Sequence, residues 1–451
     1  MKSIFTFQQY VLILATAVAY IALGYYVPRS EFFSLLGFYS MAFVSFIFLL
    51  KKQSSNTTAL FNIGILFRLL FFFGIPFWSQ DFYRFIWDGN LILNGFNPYL
   101  NTPNEIIDTT TIFNAKELYQ NMGSLSAKHY SNYPPLNQLF FAIASWVGGS
   151  SIFVTVLGLK TILLFADIGI YHIGKKVLLL LNQDPNKIFF YFLNPLVIIE
   201  LTANCHFEGV MLFFFLAGIY FFWQNKHLLA AIFISLSIIA KLLPLLLLPF
   251  FYQKLGFKKS FVFYSIILGL SILSFTPFLS EELIANYTKT IGLWFTNFEF
   301  NASIYYVIRE IGFYYKGYNI IGSVGKITPI VTILVVLFFA LVRKNKNLND
   351  FFPNSLVALA IYFFISTTVH PWYAINLILL AVFTNYKFTL IWSYLIVLSY
   401  FAYSQTPFKE NFILLLIEYG IVFLALIFDL SNIIKFKNGG TFSLESKRTK
   451  L

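Results

Sequence analysis

Long apolar runs of helical length, separated by short polar or basic stretches, dominate this chain. A hydrocarbon layer about 30 Å thick takes roughly 20 helical residues to cross. Runs of this kind occupy 8–27, 32–50, 58–77, 151–174, 187–203, 209–224, 261–279, 326–342, 353–369, 373–385, 388–404 and 412–431. The pattern predicts an all-α polytopic membrane bundle of about twelve crossings. A further stretch, 228–252, is broken by Lys241 and Pro244. Its arms of about 12 residues reach some 18 Å as helix, so it is expected to enter and leave on one side as a re-entrant hairpin. The 136–147 run is too short to cross and is expected at the interface. The first run is too long for a signal-peptide core, and no small-residue cleavage site follows it, so it reads as a retained span.

Basic pairs at Lys51 and Lys52, Lys175 and Lys176, and Arg343 and Lys344 recur between the runs, with further clusters at 254–259 and 435–450. Alternating the crossings from a cytoplasmic N-terminus places every one of them inside. Two long segments, 78–135 and 280–325, then fall outside. Their density of Trp, Tyr and Phe marks them as ordered, functional loops. The expected organisation is one transmembrane domain over 1–434 and a basic cytoplasmic tail over 435–451.

Composition narrows the function classes. Of 451 residues 58% are hydrophobic and only 11% charged, against roughly 25% charged in soluble domains. Mean hydropathy is +0.74. A soluble enzyme, a nucleic-acid binder and a disordered chain are excluded, and no nucleic acid is expected as a partner. The formal charge of +12 is explained by the basic loops. A lone Cys205 permits neither an internal disulfide nor a Cys-based zinc site.

The densest chemistry follows the third run: Asp81, Tyr83, Arg84, Trp87, Asp88 and Gly89, then Gly95, Asn97, Pro98 and Tyr99. Phe82, Phe85, Ile86 and Leu93 share one helical face, which predicts an amphipathic helix at the membrane surface, ended by Gly95 and Pro98. Asp81 and Arg84 are i,i+3 and Arg84 and Asp88 are i,i+4, so one guanidinium is expected to hold two carboxylates. Spacing alone also fits Asp81 as a helix cap and Asp88 as a simple partner for Arg84.

This run resembles the first outer loop of GT-C glycosyltransferases, most closely the bacterial polyprenol-phosphate-mannose-dependent mannosyltransferases (glycosyltransferase family 87 and its relatives). Matching pieces follow in order: Tyr133-Pro134-Pro135, His206-Phe207-Glu208-Gly209, Lys241 with Pro244, the run 301–305 and His370-Pro371-Trp372-Tyr373. The resemblance covers most of 78–373. Two spans precede the one leading into the loop, whereas the family core usually opens with that span, which leaves the role of the first two helices open.

The resemblance implies a polyprenyl-phosphate sugar donor and places the catalytic base on Asp81. It implies an inverting transfer of one sugar, most readily mannose, to a glycolipid, glycan or protein acceptor. The site would face the periplasmic side of a bacterial inner membrane, with membrane lipids around it. A phosphate leaving group departs already charged and needs no proton donor, so one base suffices. His370, Arg309 and Lys241 are the phosphate candidates; Arg309 also fits a surface pair with Glu310 or Glu299. Arg84, Asp88, Tyr133, His206, Glu208 and Tyr373 complete the substrate-binding set. No cofactor and no metal is expected, because no Asp, Glu and His cluster reaches normal ligand numbers. His206 and Glu208, at i,i+2 on a helix, would point apart. Lys160 and Asp167 are expected to pair within one span, and Arg68 to pair within the bundle. Trp78, Trp87, Tyr99, Tyr133, Trp294, Tyr305, Tyr306 and Trp372 fit an interfacial belt or sugar-stacking faces. A lipid-linked sugar flippase would instead show charges through the bundle and broken helices in matched halves. A polysaccharide polymerase would lean on outer arginines.

Overall fold

The computed structural model describes residues 5–51 and 56–438, with side chains throughout except at 294–295 and 434–438. The basic tail over 439–451 and the Trp294 side chain therefore lie outside the described residues. All regular structure in the described part is helical. Among the described residues, seven helices are long and apolar enough to cross a membrane, among them α1 (Phe7–Tyr25), α2 (Phe32–Lys51) and Ile152–Leu180. Four shorter apolar helices join them, including α3 (Thr57–Phe72). The chain is an all-helical polytopic membrane protein, as its apolar pattern predicts.

The expected span at 187–203 is not a regular helix. Pro185 and Pro195 each remove a backbone donor, and the 187–203 stretch breaks into short 3-10, α and π turns that end in the π-turn Ile198–Ala203. Cys205 then takes a left-handed φ of 61°. The segment Pro195–Ala203 meets Glu208–Trp223 at a bend of 114°. This bend points Glu200 and His206 at each other.

The 228–252 hairpin is present and reaches deep. His227–Ala240 runs back along Glu208–Trp223, stops at Lys241 in extended backbone, and the 3-10 turn Leu243–Phe251 returns. Phe222 touches both feet of the hairpin, with ring centroids 5.3 Å from His227 and 4.7 Å from Phe251. Its apex instead meets Glu208, at the opposite end of the same helix. Lys176 and Lys254 gather over Tyr220, Phe222 and Trp223. Helical rise separates this basic end from Glu208 by about 24 Å.

Two buried cations organise the centre, and they correct the expected pairing. Asp167 bonds Arg68, not Lys160: Arg68 Nε donates to Asp167 Oδ2 at 2.8 Å, with both side chains fully buried. Arg68 Nη1 also donates to the carbonyls of Gly64 and Phe192. Lys160 donates to the carbonyls of Phe71 and Gly74, each at 2.6 Å. It thereby satisfies orphan groups at the C-terminus of α3, where the helix dipole favours a cation.

The amphipathic segment forms α4 (Asp81–Leu93), but it is not a surface helix. Arg84, Trp87, Asp88, Gly89 and Asn90 are buried along with Phe82, Phe85 and Ile86, whereas Leu93 is exposed. Its partner is the helix Pro135–Gly148, whose other face bears exposed Leu139, Ile143, Trp146 and Val147 at helical spacing. Gly89 sets how close the two lie: a Cβ there would sit 2.4 Å from the Phe141 carbonyl oxygen.

Candidate active site

Asp81 is the first residue of α4, but it does not cap that helix. The N-cap is Gln80, which makes no side-chain cap bond. The Asp81 carboxylate turns outward into a cavity of about 680 Å³, within the range of small-molecule sites. Its side chain is 38% exposed, and its Oδ2 lies 3.8 Å from His206 Nε2. Arg84 does not reach it. Arg84 Nε bonds Asp88 Oδ1 at 2.7 Å, and its Nη1 donates to the carbonyls of Ser126 and His129. Asp88 Oδ2 accepts from Ser131 at 2.5 Å and Gln138 at 3.0 Å. The Arg84–Asp88 pair thus ties α4 to residues 126–138 behind the cavity wall, and the guanidinium holds one carboxylate where the spacing suggested two.

The cavity gathers most of the residues that the sequence singles out. Asp81, Tyr133, His206, Glu208, Lys241, His370 and Tyr373 all line it. Glu208 accepts from Lys241 Nζ; Glu208 is buried and Lys241 is 24% exposed to the cavity. Glu208 starts its helix and His206 sits in the turn before it, so both face one space despite their i,i+2 spacing. His206, Trp372 and His370 form a stack, with Trp372 centred 3.8 Å from His206 and 4.3 Å from His370. Burial pushes the His370 imidazole down to about 3, with His206 and Lys241 adding repulsion, so it stays neutral at ordinary pH. A short bridge between Phe300 and Thr368 pins the 298–300 strip beside this turn.

Arg309 lies apart. It is tied to Glu299 at 2.7 Å and Glu310 at 2.9 Å and stacks on Tyr306; it does not line the cavity, whereas Glu299 does. Burial raises the Glu299 carboxyl, but hydrogen bonds from Tyr305, Asn319 and Arg309 outweigh it and hold it below the usual carboxylate range. Glu208 and Glu299 are therefore occupied by cations, and among the carboxylates on the wall Asp81 presents the open oxygens.

Arg29 and Glu200 have no counterpart in the sequence-based set. Arg29, in the turn between α1 and α2, lines the cavity; it donates to the Trp78 carbonyl at 2.9 Å and lies 4.3 Å over the Tyr403 ring. It has no carboxylate partner among the described residues. Glu200, fully buried, bonds His206 from behind at 3.1 Å. The signal for Glu200 was a single acid inside an apolar run, where a charge is costly enough to need a purpose. Away from the acids, the wall turns apolar through Leu242, Leu243, Leu245, Leu246 and Ile333. Among the described residues no group of three or more His, Cys, Asp or Glu side chains is placed to hold a metal ion.

A search of curated proteins returns no match. A family model does match: the MptA_B family, described as alpha-(1->6)-mannopyranosyltransferase, N-terminal domain, over residues 10–255. That span includes most of α1, α2 to α4, the Glu200 turn, the His206–Glu208 turn and the Lys241 apex, so Asp81, His206, Glu208 and Lys241 are all matched residues. By that match, and with the membrane bundle and acid-lined cavity described above, this chain belongs to the MptA_B family and is a membrane-embedded mannosyltransferase.

Proposed function

We propose that the protein transfers one mannose, with inversion, from a polyprenyl-phosphate donor to an acceptor at the outer face of a bacterial inner membrane. Asp81 is the base that takes the acceptor proton. The observation that carries this reading is the cavity itself. One open carboxylate stands at its polar end beside cationic and neutral N–H donors, and a leucine-lined wall leads away from them. An isoprenoid chain fits the leucines, and its phosphate fits the donors. Transfer breaks the bond from the anomeric carbon to phosphate oxygen, whose electrons stay on the phosphate. The acceptor oxygen bonds the opposite face of the sugar as Asp81 receives its proton. Glu208, through one oxygen, and Glu299 are each paired with a cation, which leaves Asp81 as the open base on this wall.

Lys241, His370 and Arg29 are placed to hold the departing phosphate. Tyr133 and Tyr373 offer ring faces and a hydroxyl to the sugar. Arg84 and Asp88 act as the frame of α4, and Arg309 as the anchor of Glu299. The acceptor is a glycolipid, glycan or protein. Under the positive-inside rule the basic Lys176 and Lys254 end of the bundle is expected to be cytoplasmic, which supports a cavity on the outer face. Residues 1–434 work as one domain, with 435–451 a basic cytoplasmic tail.

Purified protein incubated with synthetic polyprenyl-phosphate mannose and an acceptor mixture should release polyprenyl phosphate. Asp81→Asn should bind donor normally yet turn over at least a hundredfold more slowly, in line with general-base contributions of about 10²–10⁴. Turnover unchanged in that variant would move the base to another group. Lipid-sugar scrambling in liposomes without acceptor would instead mark a flippase.

A further inference from the structure

The chain goes to unusual lengths to set Glu200 behind His206. Residues 198–203 wind as a π-turn and Cys205 is left-handed, two features that concentrate at functional sites. Glu200 is fully buried, and both of its oxygens are engaged: Tyr400 donates to Oε1 at 2.7 Å, and Asn204 to Oε2 at 3.1 Å. His206 Nδ1 lies 3.1 Å from the same Oε2. An ionised carboxylate only accepts, so the ring proton of neutral His206 sits on Nδ1 and its Nε2 presents a lone pair. That Nε2 is buried, has no hydrogen-bond partner, and faces Asp81 Oδ2 at 3.8 Å. A bridging water or a small rotation of Asp81 closes this gap. The other charged or titratable groups around His206 are His370 beyond the Trp372 ring and the Lys241–Glu208 pair across the cavity.

We infer that Glu200 and His206 form a proton relay behind Asp81, with His206 as the store that resets the base and Glu200 as the residue that positions it. The inference rests on Asp81 being the base. The acceptor O–H bond breaks and its proton passes to Asp81 as the new glycosidic bond forms and the phosphate leaves with its electron pair. The proton then passes from Asp81 Oδ2 to His206 Nε2. The imidazolium is held by the Glu200 carboxylate until water removes the proton. Asp81 is left ionised for the next acceptor. The same chain of carboxylate, imidazole and lone pair also fixes the tautomer that the transfer requires.

The test uses full-length protein in detergent or nanodiscs with polyprenyl-phosphate mannose. Glu200→Gln should lower kcat about tenfold while the donor KM stays within twofold. His206→Ala should lose about a hundredfold in kcat, and millimolar imidazole should restore part of it. A role in packing alone would not respond to imidazole. Asp81→Asn separates the two readings. If it is inactive while both other variants keep wild-type kcat, the relay is wrong and the base stands. If a folded, donor-binding His206→Ala gains nothing from imidazole, the relay is also overturned. If Asp81→Asn keeps wild-type kcat, the base assignment fails and the relay fails with it.

Discussion

Arg29 shows what single residues contribute to this site. Arginines beyond the expected cytoplasmic loops are few, and Arg309 drew attention on that ground, yet it spends its charge on Glu299 and Glu310. Among the described residues Arg29 is held by a carbonyl and an aromatic face, which leaves its charge for a ligand. It also gives the first two helices a role, since the turn between them delivers this cation to the wall. Charge-assisted hydrogen bonds contribute about 1.5–3 kcal/mol, roughly ten- to a hundredfold in affinity. Arg29→Gln is therefore expected to weaken inhibition by free polyprenyl phosphate by at least tenfold, with the thermal midpoint little changed. Dose–response curves for the two proteins check this. Unaltered inhibition would leave the phosphate to Lys241 and His370.

Among the elements, α4 carries the greatest consequence. It begins at the open carboxylate, and the register of its first turn depends on how its middle packs. Gly89 lies against the Phe141 backbone, where a Cβ would come within 2.4 Å of the carbonyl oxygen. Backbone atoms cannot swing aside as a side-chain tip can, so Gly89→Ala must push α4 off the Pro135–Gly148 helix. Overpacking of this kind costs about 1–3 kcal/mol. The expected outcome is a lower thermal midpoint together with a fall in kcat, since Asp81 shifts with its helix. Ala at exposed Gly95, which has no neighbour in reach but a φ of 78°, should strain the turn without moving Asp81. Scanning calorimetry or a thermal-shift assay paired with turnover checks both.

For the whole molecule, charge asymmetry predicts direction. The cavity opens at the Glu208 end of the bundle, and Lys176 and Lys254 cluster at the other. Because Cys205 is the single cysteine and is buried, a Cys205→Ser background accepts reporter thiols cleanly. A thiol at exposed Asp108, in the 78–135 segment, should react with an impermeant maleimide on intact cells. One at exposed Lys258 should react only after permeabilisation. The reverse pattern would turn the site to the cytoplasm and remove the outer-face donor from the proposal.

By itself the sequence determined the membrane class, most of the helical runs, the hairpin at Lys241 and most of the residues around Asp81. Each of these is written in local periodicity or in short motifs that survive without knowledge of the fold. The partnerships needed the tertiary structure. Arg68 chose Asp167 across 99 positions and Lys160 turned to the end of α3, because in a buried core a cation bonds whatever acceptors packing brings near it, whatever its spacing in sequence. The 187–203 run looked like one more span, since hydrophobicity does not distinguish a straight helix from one that prolines divide. Only the bend after Ala203, where Cys205 turns left-handed, sets Glu200 behind His206 and His206 before Asp81, and Arg29 joins them from the far turn between α1 and α2 for the same reason: a site is a meeting of surfaces, and the chain specifies surfaces only once it has folded.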